Sequence, residues 1–217
     1  MRKTQIGTCI AAFALLAALP ATAAASPQLL EAGKPVAPTS KMLATSSGNA
    51  TFTGTNSKGE DDGTVTCTKA QMTGEVISNK GTLIEVQIET ASFTGTEAEG
   101  KCASTIPGTG PLKVIAENLP WCVTSAVLES FSFRGGSCAV GASNVKATLV
   151  GSFGLTCTYE RATVAGTYVK EVNPAKLSVV SQTFNLIKGG AACPAQGHMS
   201  VAYVLENDTN FVALSIA

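Results

Sequence analysis

Histidine is almost missing from this chain: His198, in Gly197-His198-Met199, is the only one. A serine nucleophile needs a base to take its proton, and with one histidine and no Gly-x-Ser-x-Gly elbow a Ser-His-Asp hydrolase is disfavoured. The cysteines show no Cys-x2-Cys or Cys-x4-Cys spacing, which removes the usual zinc ligand sets. Charge is sparse and balanced, with 14% charged residues and 15 Lys+Arg against 15 Asp+Glu. No basic run exceeds a pair, so the stripe needed to neutralise nucleic-acid phosphates is lacking. Aromatic residues make up 6% and Trp121 is the only tryptophan, which leaves no large aromatic platform. No apolar run approaches the roughly 20 residues of a membrane-spanning helix. Beyond one turn's worth near Leu29–Gly33, no segment carries a helical apolar stripe.

What is present begins with an export pattern. Met1-Arg2-Lys3 is basic, Ile10 to Leu19 is apolar, and Pro20-Ala21-Thr22-Ala23-Ala24-Ala25 supplies small residues for a peptidase. This order reads as a signal peptide over residues 1–25. Cys9 precedes its apolar core and is not a lipid-attachment cysteine, so the mature chain is expected to be secreted or at the cell surface, with no transmembrane segment. Removal of the signal leaves six of the seven cysteines, Cys67, Cys102, Cys122, Cys138, Cys157 and Cys193. An even count in an exported chain points to three disulfides. Residues 26–48, rich in Ala, Pro and Ser, read as a linker or docked arm that Leu29 and Leu30 can anchor.

From Asn49 onward the apolar period is two. Ile84, Val86 and Ile88 alternate with Glu85, Gln87 and Glu89, the signature of a strand with one buried and one wet face. Similar short runs follow, among them Ser125–Phe133, Leu177–Phe184, Met199–Leu205 and Phe211–Ile216. Turn-formers such as Asn79-Lys80-Gly81, Asn173-Pro174 and Gly189-Gly190 separate them. Residues 49–217 are therefore expected to form one all-β domain, an antiparallel β-sandwich or jelly roll.

The second half also repeats the first. Ala50-Thr51-Phe52-Thr53-Gly54-Thr55 leads to Thr66-Cys67-Thr68, and Ala147-Thr148-Leu149-Val150-Gly151-Ser152 leads to Thr156-Cys157-Thr158. Each is followed by a glycine (Gly74, Gly166), a phenylalanine (Phe93, Phe184) and a last cysteine (Cys102, Cys193), the cysteine spans being 35 and 36 residues. An internal duplication with halves near 49–128 and 143–217 accounts for this register. If equivalent cysteines pair equivalently, the bridges are Cys67–Cys102, Cys157–Cys193 and Cys122–Cys138.

The signal peptide, the Val65-Thr66-Cys67 strand, a cysteine ahead of Asn118-Leu119-Pro120-Trp121 and the Cys193-Pro194 loop together resemble uncharacterised exported bacterial β-proteins. More distantly, they resemble the secreted alkane-oxidation activator proteins. The resemblance covers most of the mature chain and implies an extracellular, accessory, non-catalytic role. It transfers no catalytic residue.

Few residues stand out as sites. Trp121, between Pro120 and Cys122, reads as core beside a disulfide, the alternative being an exposed platform for sugar or an apolar ligand. Glu60-Asp61-Asp62-Gly63 is the densest acidic run. It has hard oxygens and a glycine but not the alternating spacing of a calcium loop, and reads as a solvated turn. Glu85, Glu89, Glu117 and Glu129 are ordinary polar-face glutamates unless two converge. Asn49-Ala50-Thr51 and Asn207-Asp208-Thr209 match the glycosylation triplet in turn contexts. The expectation is a non-enzymatic secreted structural or surface protein with no cofactor and a protein or cell-envelope partner. The alternative is a module binding carbohydrate or a small apolar ligand.

Overall fold

The computed structural model describes residues 26–80, 82–140 and 142–217. Residues 1–25, expected above to be a signal peptide, and Gly81 of the Asn79-Lys80-Gly81 turn lie outside the described residues. The fold is all-β. Its strands are β1 (Leu29–Glu31), β2 (Lys34–Pro35), β3 (Lys41–Ser46), β4 (Ala50–Thr55), β5 (Asp61–Cys67), β6 (Lys69–Lys80), β7 (Leu83–Thr94), β8 (Ala103–Ser104) and β9 (Lys113–Glu117). They continue with β10 (Trp121–Ser125), β11 (Ser130–Gly135), β12 (Val145–Val150), β13 (Thr156–Arg161), β14 (Val164–Val169), β15 (Lys176–Lys188), β16 (Gln196–Asn207) and β17 (Leu214–Ile216). Only two 3-10 turns interrupt them among the described residues.

Strand alternation builds the core. Along β7, Ile84, Val86 and Ile88 are buried while Glu85, Gln87 and Glu89 face outward, and burying each such aliphatic side chain stabilises the fold by roughly 1.5–3 kcal/mol. Apolar faces meet across the interior in sandwich fashion, and all strand-to-strand ladders are antiparallel. The ladders also run around the molecule. β6 pairs with β7, β7 with β10, then β11, β14, β15, β16 and β3 follow in turn, and β3 returns to β6. This first circuit is closed.

A second circuit shares the long strands. The far half of β7 pairs with β9, which leads through β12 and β13 to the far half of β15, then β16, β4, β5 and β8. Its ladders stop at β8, and a single antiparallel bridge between Cys102 and Leu112 joins that end to the start of β9. β6, β7, β15 and β16, each 12 or 13 residues long, span the height of the molecule. β15 changes partner from β14 to β13 across a register shift between Val179 and Gln182, where Ser181 takes φ 47°.

The three disulfides pair as the repeat implies: Cys67–Cys102, Cys122–Cys138 and Cys157–Cys193. The two repeated hairpins share strand order and disulfide pattern but not register, for Cys67 opposes Ala50 whereas Cys157 opposes Leu149.

Three expectations require correction. Of the linker or docked arm expected over residues 26–48, the segment is docked, with Leu29 buried, and it is also part of the sheet: β3 lies between β6 and β16 with Met42 and Ala44 buried, and β1 pairs with β17. The prolines sit at β2 and in the connections, where no ladder donor is needed. Ser125–Phe133 is a hairpin, because the chain reverses through residues 126–129, with Glu129 at φ 63°. Phe211 belongs to no strand; it is 65% exposed, and pairing begins at the Ala213–Glu206 bridge and continues through Leu214–Ile216.

One residue read from the sequence only as a turn-former fixes the N-terminal segment. Asn79 is buried at the end of β6; its Nδ2 donates to Leu29 O (2.7 Å) and Val36 O (2.9 Å), and its Oδ1 accepts from Leu29 N (2.8 Å). Leu29 is thereby seated at the end of the first circuit, against the core.

Candidate functional site

Each chemistry-bearing residue singled out from the sequence has a place in the fold. His198 lies on β16 between β4 and β15. Its Nδ1 is 3.0 Å from Thr183 Oγ1 and its Nε2 is 3.4 Å from Thr55 Oγ1. Both ring nitrogens therefore face threonine hydroxyls from the neighbouring strands. All six cysteines are consumed in disulfides.

The acidic run serves its own turn. Asn56 Nδ2 donates to Glu60 Oε2 (2.8 Å), and Gly63 N donates to Asp61 Oδ1 (2.8 Å). Among the described residues no three His, Cys, Asp or Glu side chains converge on a metal-sized site. The glutamates are dispersed as well. Glu89 and Glu75 share the Lys41 ammonium, Glu117 accepts from Thr148 Oγ1, and Glu129 sits in the β10–β11 turn. Of the two glycosylation triplets, Asn49 is exposed. Asn207 is 9% exposed and its Nδ2 donates to Glu31 Oε2 at 3.0 Å, which occupies the nitrogen a glycan would need.

Trp121 is 4% exposed. It stacks on Phe133 with ring centroids 5.6 Å apart, and its Nε1 donates to Glu117 O at 2.9 Å. Alternation along β10 sends Trp121 inward and Cys122 to the opposite face, so the tryptophan packs on a phenylalanine, not on the sulfurs of its neighbour. The ring therefore forms no exposed platform for a ligand.

Two features carry no clear sequence mark. The first is a pair of cavities inside the strand circuits, of about 60 Å³ and about 50 Å³. The upper one is bounded by Leu29, Met42, Val86 and Tyr168, the lower by Phe52, Phe93, Leu149 and Phe184. Met72, Trp121, Phe133, Val179 and Tyr203 line both and form the partition. Burial drives the phenols of Tyr159 and Tyr203 well above the usual tyrosine range, with the Asp62 charge adding to the effect at Tyr159. Both are therefore neutral hydroxyls at any physiological pH.

The second is Phe153, fully exposed at 104% in the β12–β13 turn with φ 56°. A bulky residue in the left-handed region is uncommon and strained. Beside it lies an open surface hollow lined by Gly108, Leu155, Lys188, Gly189 and Gly190. An inward-facing phenylalanine is legible from alternation, as at Phe93 and Phe184. An outward one at a turn tip is not, since Ser152-Phe153-Gly154 follows no apolar period.

No helix among the described residues is long and apolar enough to cross a membrane. Compared with known protein families, curated proteins and solved structures, this chain has no match.

Proposed function

We propose that this is an exported, non-enzymatic protein that serves as a structural or surface-associated module, with a protein or a cell-envelope component as its partner. The observation that carries the reading is the use of every candidate reactive group for structure. The only histidine is held between two threonines, the cysteines are bridged, and the acidic run closes its own turn. Export is supported by the N-terminal pattern and by three disulfides, which persist outside reducing compartments. An ancestral duplication is supported by the matching cysteine spans. Phe153 is the side chain that surface association would use, because an exposed strained aromatic has no role in the core.

The test is co-sedimentation of the disulfide-bonded protein with cell-wall and membrane fractions, beside Phe153→Ala. Saturable binding that weakens in the variant at unchanged melting temperature is expected. Absence of binding to every fraction sinks surface association.

A second reading has its own support. The paired interior cavities favour a module that takes up a small apolar molecule, since dry apolar cavities accept apolar guests in place of water.

A further inference from the structure

Buried tyrosines almost always place their hydroxyl on a partner, and two of the three tyrosines here do so. Tyr159 Oη donates to Pro194 O at 3.0 Å, and Tyr168 Oη lies 3.4 Å from Ser125 Oγ, whose own proton goes to Ser130 O. Tyr203 is the exception. It is 3% exposed, it lines both cavities, and its hydroxyl forms no hydrogen bond with another described residue. The walls of the first cavity are wholly apolar, so it is in the second, beside Thr51 and Phe52, that this hydroxyl can act as a donor.

Water fits that space poorly. A buried water is held by two to four polar partners, and the other hydroxyls along the walls are engaged: Ser125 Oγ with Ser130 O (2.8 Å) and Thr51 Oγ1 with Ser200 O (3.5 Å). Each cavity is smaller than the ~150 Å³ that holds benzene and larger than the ~30 Å³ share of one water. Met72 is the flexible member of the partition, a thioether that adapts to irregular space, and its displacement joins the two. We propose that the interior binds a small, largely apolar molecule carrying one acceptor oxygen, such as a short ketone, aldehyde or ether, with that oxygen accepting a hydrogen bond from Tyr203 Oη. This site rests on the second reading above and gives it a ligand chemistry.

The test is methyl NMR of Met72 and Val179 in the disulfide-bonded protein, titrated with xenon, with isobutene and with acetone, its oxygen-bearing isostere. All three are expected to shift these methyls. In Tyr203→Phe, which deletes only the hydroxyl, acetone should bind roughly fivefold to tenfold more weakly, the worth of one ordinary hydrogen bond, while xenon and isobutene are unchanged. Val179→Ile, which fills space at the partition, should weaken all three. If xenon and isobutene bind but acetone is indifferent to Tyr203→Phe, the oxygen-recognising site is overturned and the apolar cavity stands. If none of the three binds, both fall. The melting temperature of guest-free Tyr203→Phe should not drop; a drop of several degrees would reveal an internal partner for the hydroxyl and overturn the proposal.

Discussion

The two strand circuits share their long strands and differ in how they are closed. The first, around Leu29, Met42, Val86 and Tyr168, is hydrogen-bonded all the way round and finished at its end by β1 and β17. The second, around Phe52, Val65, Leu149 and Phe184, lacks a ladder between β8 and β7. Two of the three disulfides stand there. Cys67–Cys102 joins the end of β5 to the segment before β8, and Cys157–Cys193 joins β13 to the β15–β16 connection. These four cysteines belong to the core cluster. Cys122–Cys138 instead pins the loop after β11 onto β10, a strand already paired on both edges. Cys67–Cys102 and Cys157–Cys193 each reinforce strands that ladders already join, β5 with β8 and β13 with β15, in the circuit whose ladders do not close, whereas Cys122–Cys138 holds a loop against the closed one.

The largest effects should come from breaking that contrast. Loop entropy alone assigns about 4 kcal/mol to each of the two long bridges and about 3 kcal/mol to Cys122–Cys138. Paired Cys→Ser variants at Cys67/Cys102 or Cys157/Cys193 should exceed that gap in urea titrations, because they also loosen buried walls. Equal losses at all three bridges would erase the distinction between the circuits.

Asn79→Ala comes next, at about 3 kcal/mol, since it leaves Leu29 N and Val36 O buried without their partner. Amide exchange should rise in β1 and β17 and stay slow at the Cys157–Cys193 end; a uniform rise would argue against a separately seated cap.

A smaller loss should appear at alkaline pH. Tyr159 and Tyr203 have folded pKa values raised above the unfolded one, so their neutral forms favour the native state. Their contribution is complete below about pH 10 and declines as pH rises through the unfolded tyrosine pKa. Urea midpoints taken between pH 8 and 11 should fall, and Tyr203→Phe should flatten part of the fall; an unchanged slope would place that phenol in contact with solvent. The smallest effect is a gain: Phe153→Gly should stabilise by about 0.5 kcal/mol, because glycine accepts φ 56° without strain.

Much of this was legible in the residues. Strict alternation at Ile84–Glu89 announces a half-buried strand, and the matched spacing of Cys67/Cys102 and Cys157/Cys193 announces their bridges. The glycines that follow each Thr-Cys-Thr are also required, though for different reasons. A Cβ at Gly74 would meet Gln87 O at 2.4 Å, and one at Gly166 would meet the Phe131 ring at 2.3 Å. Residues 26–48 misled because composition reports on flexibility and not on neighbours. Lys41–Ser46 is a strand because β6 and β16 each offer it a free edge.

The amino-acid order by itself determined the β character, the inward and outward faces and the cysteine partners, since each depends on period or on spacing along the chain. Only the tertiary structure decided which strands meet, that the ladders of one circuit close while those of the other stop at β8, and that among the described residues Tyr203 has no hydrogen-bond partner such as its two fellow tyrosines have. Those outcomes turn on contacts between segments far apart in the chain, and a threonine- and valine-rich strand pairs about equally well with many others until packing chooses among them.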